Sequence, residues 1–576
     1  MTIHTLLEPG ADPLHDAPAP VVGVARTVPA ALPAALAAAS AALAACGGGG
    51  EAAHATAPVA PAPPPAAATP TDAQASRFLG QASLGATRAQ ITRVKAIGYE
   101  SWLEEQFATP ADTSRWDWLV SKGYDGADFR GSQGGFDPAA WRKLIAAPDT
   151  LRQRVTLALS EIVVVGIDSL TTAWKQFAAA HWLDLLEQHA FGNLRTLIGA
   201  VSTHPAMGVY LTFRGNAKAN TTTGSLPDEN YARELMQLFL IGLQELQPDG
   251  TLRLVNGEPI ETYVQDDITG LARVFTGWDF DFAGGTNQTP DFLKRPMTQV
   301  PNRYETGEKS FLGLTIPAGT TADESMRLAL DHLYAHPNVG PFWSRQLIQR
   351  LVTSNPSPAY VQRVAQVFAD DGSGQRGNLK AVVKAILLDA EARGEAALSS
   401  PQAGKLREPV LRFVGWARAF GATSASDAWE IGNTSDASTR LGQSPLRSPS
   451  VFNFFRPGYV PPNSGVATAG LVAPEFQITH ESSVVGYLNW MQGSISNGRG
   501  DVRADYSALL QLATDPVVLV AEVDLLLAAA QLSAATRKTI SDAINTMAST
   551  TDANRLARVH AAVLMVMAAP EYLVQK

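Results

Sequence analysis

The stretch Pro227-Asp228-Glu229-Asn230-Tyr231-Ala232-Arg233-Glu234-Leu235-Met236, followed by Asp267-Ile268 and by Ala272-Arg273-Val274-Phe275-Thr276-Gly277-Trp278, decides how the chain is read. On a helical wheel Tyr231, Leu235, Leu238 and Gly242 share one stripe, and Ile241 widens it. Glu234 falls inside that arc, while Met236 and Leu240 flank Arg233 on the other side. A helix apolar nearly all round is a buried one. Full charges buried with it need partners, because an isolated buried ion costs several kcal/mol or titrates to neutrality. The later stretch predicts a second helix, opened by the capping box Thr262-Tyr263-Val264-Gln265 and closed at Gly277. Val264, Ile268, Leu271, Ala272 and Phe275 make its apolar stripe, with Asp267 at the edge and Arg273 on the far face. Arg233 with Asp267, and Glu234 with Arg273, are the expected cross-helix ion pairs.

Working outward, the same period continues. A helix after Pro148 carries Leu151, Val155, Leu159 and Ile162, and another carries Trp174, Phe177, His181 and Leu185 before Gly192. Further helices are expected over 321–333, 339–351, 360–368, 379–388, 406–420, 516–530, 535–547 and 554–567. Between the two central helices, Pro248-Asp249-Gly250 and Asn256-Gly257 surround a short apolar run and predict a small β-hairpin. Residues 124–136, 278–320 and 446–471 read as loops, the last rich in Pro, Gly and aromatics. No repeat recurs at a fixed period. The fold class is mostly α: one large, irregular multi-helix domain over 72–576, with long covering loops and one small β-hairpin insertion.

Glu229-Asn230-Tyr231-Ala232-Arg233-Glu234-Leu235-Met236, then Asp267, Ala272-Arg273 and Thr276-Gly277-Trp278, resembles the bacterial family known as domain of unknown function 1800. The resemblance extends outside the centre. Phe78-Leu79-Gly80-Gln81-Ala82-Ser83-Leu84-Gly85-Ala86-Thr87 is similar to its opening segment. Ala190-Phe191-Gly192-Asn193 and His204-Pro205-Ala206-Met207 are similar to its middle, and Ala569-Pro570-Glu571-Tyr572 to its close. Where members often carry a His between the Trp and a Gly-x-Lys, this chain has Tyr304 ahead of Gly307-Glu308-Lys309. The resemblance implies no established activity. It does imply a partner by analogy, a sulfatase-like envelope protein whose genes often neighbour those of the family.

Composition speaks to location. The chain has 576 residues and a net charge of -9, without the basic face that a nucleic-acid binder shows. Its one cysteine, Cys46, follows an Ala/Leu-rich run ending Leu43-Ala44-Ala45 and precedes four glycines. That order resembles a lipoprotein signal over 1–46, with Cys46 as the lipidated residue and a membrane surface as the partner it reaches. Gly47 after it fits outer-membrane sorting in the cell envelope. Residues 47–71, crowded with Gly, Ala and Pro, are expected to form a disordered spacer. With no further cysteine, disulfides and thiol nucleophiles are excluded from the domain.

Chemistry has few places to reside. Glu234 and Asp267 are the candidate catalytic residues, since a carboxylate among apolar side chains and cations has a tunable pKa. Arg233, Arg273 and Lys309 are candidate anion binders. Trp278 and Phe454, the latter in the loop Phe452-Asn453-Phe454-Phe455-Arg456-Pro457-Gly458-Tyr459, are candidates for stacking on a sugar ring. The same charges serve equally as struts between buried helices. His332 and His336 stand four apart on a helix, and His181 and His189 about two turns apart; neither pair comes with a third ligand, and no metal is expected. No nucleophile elbow, phosphate loop or dinucleotide fingerprint occurs, so no cofactor is expected. Two functions remain: a lipid-anchored binding, scaffold or accessory protein of the envelope, and a hydrolase or lyase acting on an envelope polysaccharide.

Overall fold

The computed structural model describes residues 69–576. The expected anchor at Cys46, and all but the last three residues of the expected spacer, lie outside the described residues. Side-chain caps set many of the helix starts. Thr71 accepts from the Gln74 amide and opens Asp72–Ala82, Asn193 opens Leu194–Thr203, Thr321 opens Ala322–Ala335, and Ser357 opens Pro358–Ala369. Lys175–His189 is the hub of the first half, with Phe177, Ala178, Ala179, Ala180, Trp182, Leu183 and Leu186 all buried. Arg115–Ser121, Phe136–Ala146, Thr150–Ser160, Leu194–Thr203 and Pro205–Tyr210 surround it. Val339–Leu351, Pro358–Ala369 and Leu379–Leu388 pack on one another, and Pro516–Ala528, Ala534–Asn545 and Asp552–Ala568 form a second group of three.

Strands are few. Among the described residues there are 24 α-helices and five two-stranded antiparallel sheets, which makes the fold mostly α. The expected hairpin is Leu254–Val255 against Glu258–Pro259, turned by Asn256 and Gly257 at φ of 54° and 88°. Two further ladders, Trp278–Asp279 with Thr298–Gln299 and Lys309–Phe311 with Leu314–Ile316, organise the region expected to be loop. Another helix, Glu481–Asn497, has no counterpart in the expected elements; Ser483, Gly486 and Ser494 interrupt its buried face and dilute the apolar period. Across the fold, Val574–Gln575 pairs antiparallel with Lys405–Leu406, and Gln575 Nε2 donates to the Leu351 carbonyl at 3.0 Å.

The central pair differs from the expected two regular helices. Asn230–Glu234 is α-helical, but Leu235–Leu240 runs on as a π-helix, with the Ile241 amide bonding five residues back to Met236 at 3.0 Å. Gly242, at φ of 75°, stops it. The second helix, Gln265–Ala272, starts after Val264 rather than at Thr262, because Asp267 accepts the Val264 amide at 2.9 Å. It tightens into a 3-10 turn at Arg273–Phe275. Gln265–Ala272 packs against Asn230–Glu234 on one side and the Lys309–Phe311 strand on another. Gly270 makes that second contact: a methyl there would fall 1.8 Å from the Ser310 carbonyl oxygen. Among the described residues no helix is long and apolar enough to cross a membrane.

Candidate functional site

Tyr231 fixes the start of the site. Its ring stacks on Phe213 at 4.2 Å and meets Phe275 edge-on at 4.7 Å, while its hydroxyl pairs with Ser202 Oγ at 2.7 Å. One turn later comes Glu234, at the junction of the α and π segments and 7% exposed. Its Oε2 is buried without a hydrogen-bond partner. Burial raises its pKa, and Arg233 opposes that only in part. Tyr210 is pushed up to about 12 by burial and then by the charge of Glu234, and burial likewise pushes Tyr263 up to about 12. Tyr210 also joins the site to the aromatic loop, since a methyl on Gly166 would meet Tyr210 Cε2 at 3.3 Å and the Ser448 carbonyl at 3.5 Å. π-Helical turns recur at functional sites because they shift a side chain out of the regular register. A carboxyl group that holds its proton more tightly than usual, flanked by two phenols, can deliver a proton.

The other candidates are occupied, and the two expected cross-helix pairs are not formed. Asp267 spends both oxygens on backbone amides: Oδ2 on Val264 at 2.9 Å and Oδ1 on Leu312 at 2.6 Å. It stands at the third position of its helix, where unpaired amides compete for it before any arginine across the interface can. Arg233 instead reaches Glu229 at 3.3 Å, one turn back, and donates to Gln265 Oε1 at 3.1 Å. Arg273 turns toward Glu305, 3.8 Å away, because the 3-10 turn points it at the 305–309 segment. Lys309 is buried nearby; its Nζ donates to the Gly307 carbonyl at 3.1 Å and sits 4.7 Å from the centre of the Tyr304 ring. Burial lowers its pKa, Glu305 pulls it back up, and Arg273 lowers it further. Arg273, Glu305 and Lys309 therefore come together, apart from the bonds made by Asp267. Trp278 is 3% exposed, its indole N–H without a partner and its backbone in register with Gln299. Phe454 is half-buried in the covering loop, whose Arg456 lies over the Phe452 ring at 4.5 Å.

The histidines are committed to the fold. His332 Nε2 lies 2.9 Å from the Leu312 carbonyl, and His336 Nδ1 accepts the Asn338 amide at 3.1 Å. His181 meets not His189 but His204, with Nδ1 of the first 3.0 Å from Nε2 of the second. His204 Nδ1 accepts the Ala206 amide, so in the neutral ring Nε2 carries the proton and donates to His181. Burial depresses both pKa values. Among the described residues no group of three His, Cys, Asp or Glu side chains is placed to hold a metal ion.

Sequence reasoning passed over a second charged cluster, made by Arg154, Glu161, Arg350, Lys405, Glu408 and Glu475, all buried. Lys405 Nζ lies 3.2 Å from Glu408 and 3.1 Å from Glu475, and donates to the Arg350 carbonyl at 2.8 Å. Gln443 donates to the other Glu408 oxygen at 2.9 Å. Glu161 lies 3.7 Å from Arg350 Nε, and both of its carboxyl oxygens are buried without a hydrogen-bond partner. Burial and then the Glu408 charge raise the pKa of Glu161, whereas for Glu408 burial is outweighed by Lys405, Arg154 and Gln443 acting together, which hold its pKa low. The signal was present in the sequence: Glu161 is a lone charge in the run from Leu157 to Val165, the same anomaly that singles out Glu234.

A family model described as "Protein of unknown function (DUF1800)" matches residues 77–574. No curated protein and no solved structure matches the chain.

Proposed function

We propose that this chain, which belongs to the DUF1800 family of proteins of unknown function, is a lipid-anchored cell-envelope protein that binds and positions a partner. A sulfatase-like envelope protein is the partner its family resemblance points to. The observation that carries this reading is Asp267, whose two oxygens are both consumed by backbone amides. It cannot relay protons to Glu234, so the paired-carboxylate chemistry loses one member. The remaining candidates, Arg233, Arg273 and Lys309, likewise hold neighbouring segments in place, which is what a rigid docking body needs. Cross-linking of the membrane fraction tests the proposal: one discrete partner is expected, and the adduct is expected to be lost with Cys46→Ser, which also ends lipid labelling. A protein that stays soluble and monomeric with Cys46 intact would sink it.

One observation favours a second reading, hydrolysis or elimination on an envelope polysaccharide. Glu234 keeps an unpartnered oxygen and a raised pKa at a π-helical junction. Under it Glu234 is the general acid, with the half-buried Phe454 bordering the sugar and Trp278, 3% exposed, supporting the site from behind. Cleavage of a cell-wall polysaccharide that Glu234→Gln abolishes without moving Tm would establish this reading over the first.

A further inference from the structure

Far along the chain from Glu234, an open cleft of ≈ 580 Å³ lies between the end of Val339–Leu351, the Ala390–Arg393 and Ala396–Ser399 helices, and the 402–404 segment, with Arg77 and Gln81 on its wall. That is the size range of small-molecule sites. Its charges are unusual. Arg345 is exposed on the cleft wall and makes no hydrogen bond and no ion pair among the described residues, so its guanidinium donors are free for a ligand. Arg393, behind the cleft, leaves Nε and Nη2 unbonded and stacks over Phe78 at 5.1 Å, and burial pulls it down to about 10. Arg77 spends its bonds on the carbonyls of Arg393, Gly394 and Lys576. Among the described residues the one acidic side chain on the wall, Glu391, is already taken by the Ser357 amide and hydroxyl at 3.0 and 2.5 Å. Gln81 is fully buried with neither amide atom bonded.

A guanidinium that no protein group engages keeps its paired donors available to an anion entering the cleft. We propose that this cleft is a binding site for a small organic anion, its carboxylate or phosphate group held by the Arg345 guanidinium and its body lying against the prolines and alanines of the wall. A planar guanidinium with free donors suits either group through paired hydrogen bonds.

The test is thermal denaturation of the full chain with inorganic phosphate and, separately, succinate, each against chloride at matched ionic strength. The proteins are wild type, Arg345→Gln and Arg345→Lys. A saturable rise in Tm with at least one anion is expected in wild type. It should need at least tenfold more anion in Arg345→Gln and keep part of its strength in Arg345→Lys. A response to phosphate alone assigns a phosphoryl-type ligand, and one to succinate alone a carboxylate. Without anion, Arg345→Gln should melt no lower than wild type, because it removes an uncompensated charge. Equal responses in wild type and Arg345→Gln, no response in wild type, or a lowered melting point for anion-free Arg345→Gln would each overturn the proposal.

Discussion

Glu161 and Asp267 show what single carboxyl groups do in this fold. The folded-state pKa of Glu161 is raised, so the stability it confers is complete below the ordinary glutamate range and is lost as pH climbs toward the raised value. Glu161→Gln is nearly isosteric, stays neutral at every pH and removes the titration. Urea denaturation at pH 5 and pH 8 should therefore show wild type losing stability across that interval relative to the variant; parallel profiles would refute the raised pKa of Glu161. Asp267→Ala strips an amide partner from both Val264 and Leu312 and should cost about 1–3 kcal/mol, measurable by the same method. Glu234→Gln is expected to fold with Tm close to wild type, since no ion pair is lost. The sequence identified Glu234 as anomalous but assigned it the wrong partner, Arg273. Helical wheels rank faces; they do not see that an aspartate near a helix start, or a glutamate one turn away, reaches the competing group first.

Elements were legible where the apolar period was uninterrupted. Val339–Leu351 and Leu379–Leu388 fall on the expected bounds, because each is closed by an abrupt change in composition. The Asn256-Gly257 turn was equally plain, since few other pairs accept two positive φ values. The π-helix at Leu235–Leu240 was not, because nearly the same residues satisfy an α-helical wheel and the extra residue per turn comes from tertiary packing. The two-residue ladders around Trp278 and Lys309 are too short to carry a period of their own. Gly270 belongs at this scale as well. Gly270→Ala forces the Gln265–Ala272 helix away from the Ser310 carbonyl and should destabilise by about 1–3 kcal/mol, read as a lowered urea midpoint. An unchanged midpoint would mean that the helix and strand can separate freely.

For the whole molecule, the mostly α class followed from the helical apolar period, but its internal closure did not. Glu161, Arg350, Lys405 and Glu475 are spread over more than half the sequence, and nothing local announces that they meet. The pairing of Val574–Gln575 with Lys405–Leu406 seals that cluster from one side. Removing residues 574–576 deletes the Gln575 bond to Leu351 and the strand pairing at Lys405, and should lower stability by about 2–4 kcal/mol. Calorimetry of the shortened chain checks this, and an unaltered transition would show the ladder to be dispensable.

Arg77 and Lys576 are bonded across 499 positions. At ordinary synthesis rates the ribosome delivers the second of them about 25–100 s after the first. For most of that interval Asp72–Ala82 has Tyr99 and Trp102 beside Phe78 but lacks its late partner Pro516–Ala528. Nascent chains of this protein should accordingly be strong clients for holding chaperones until translation is nearly finished.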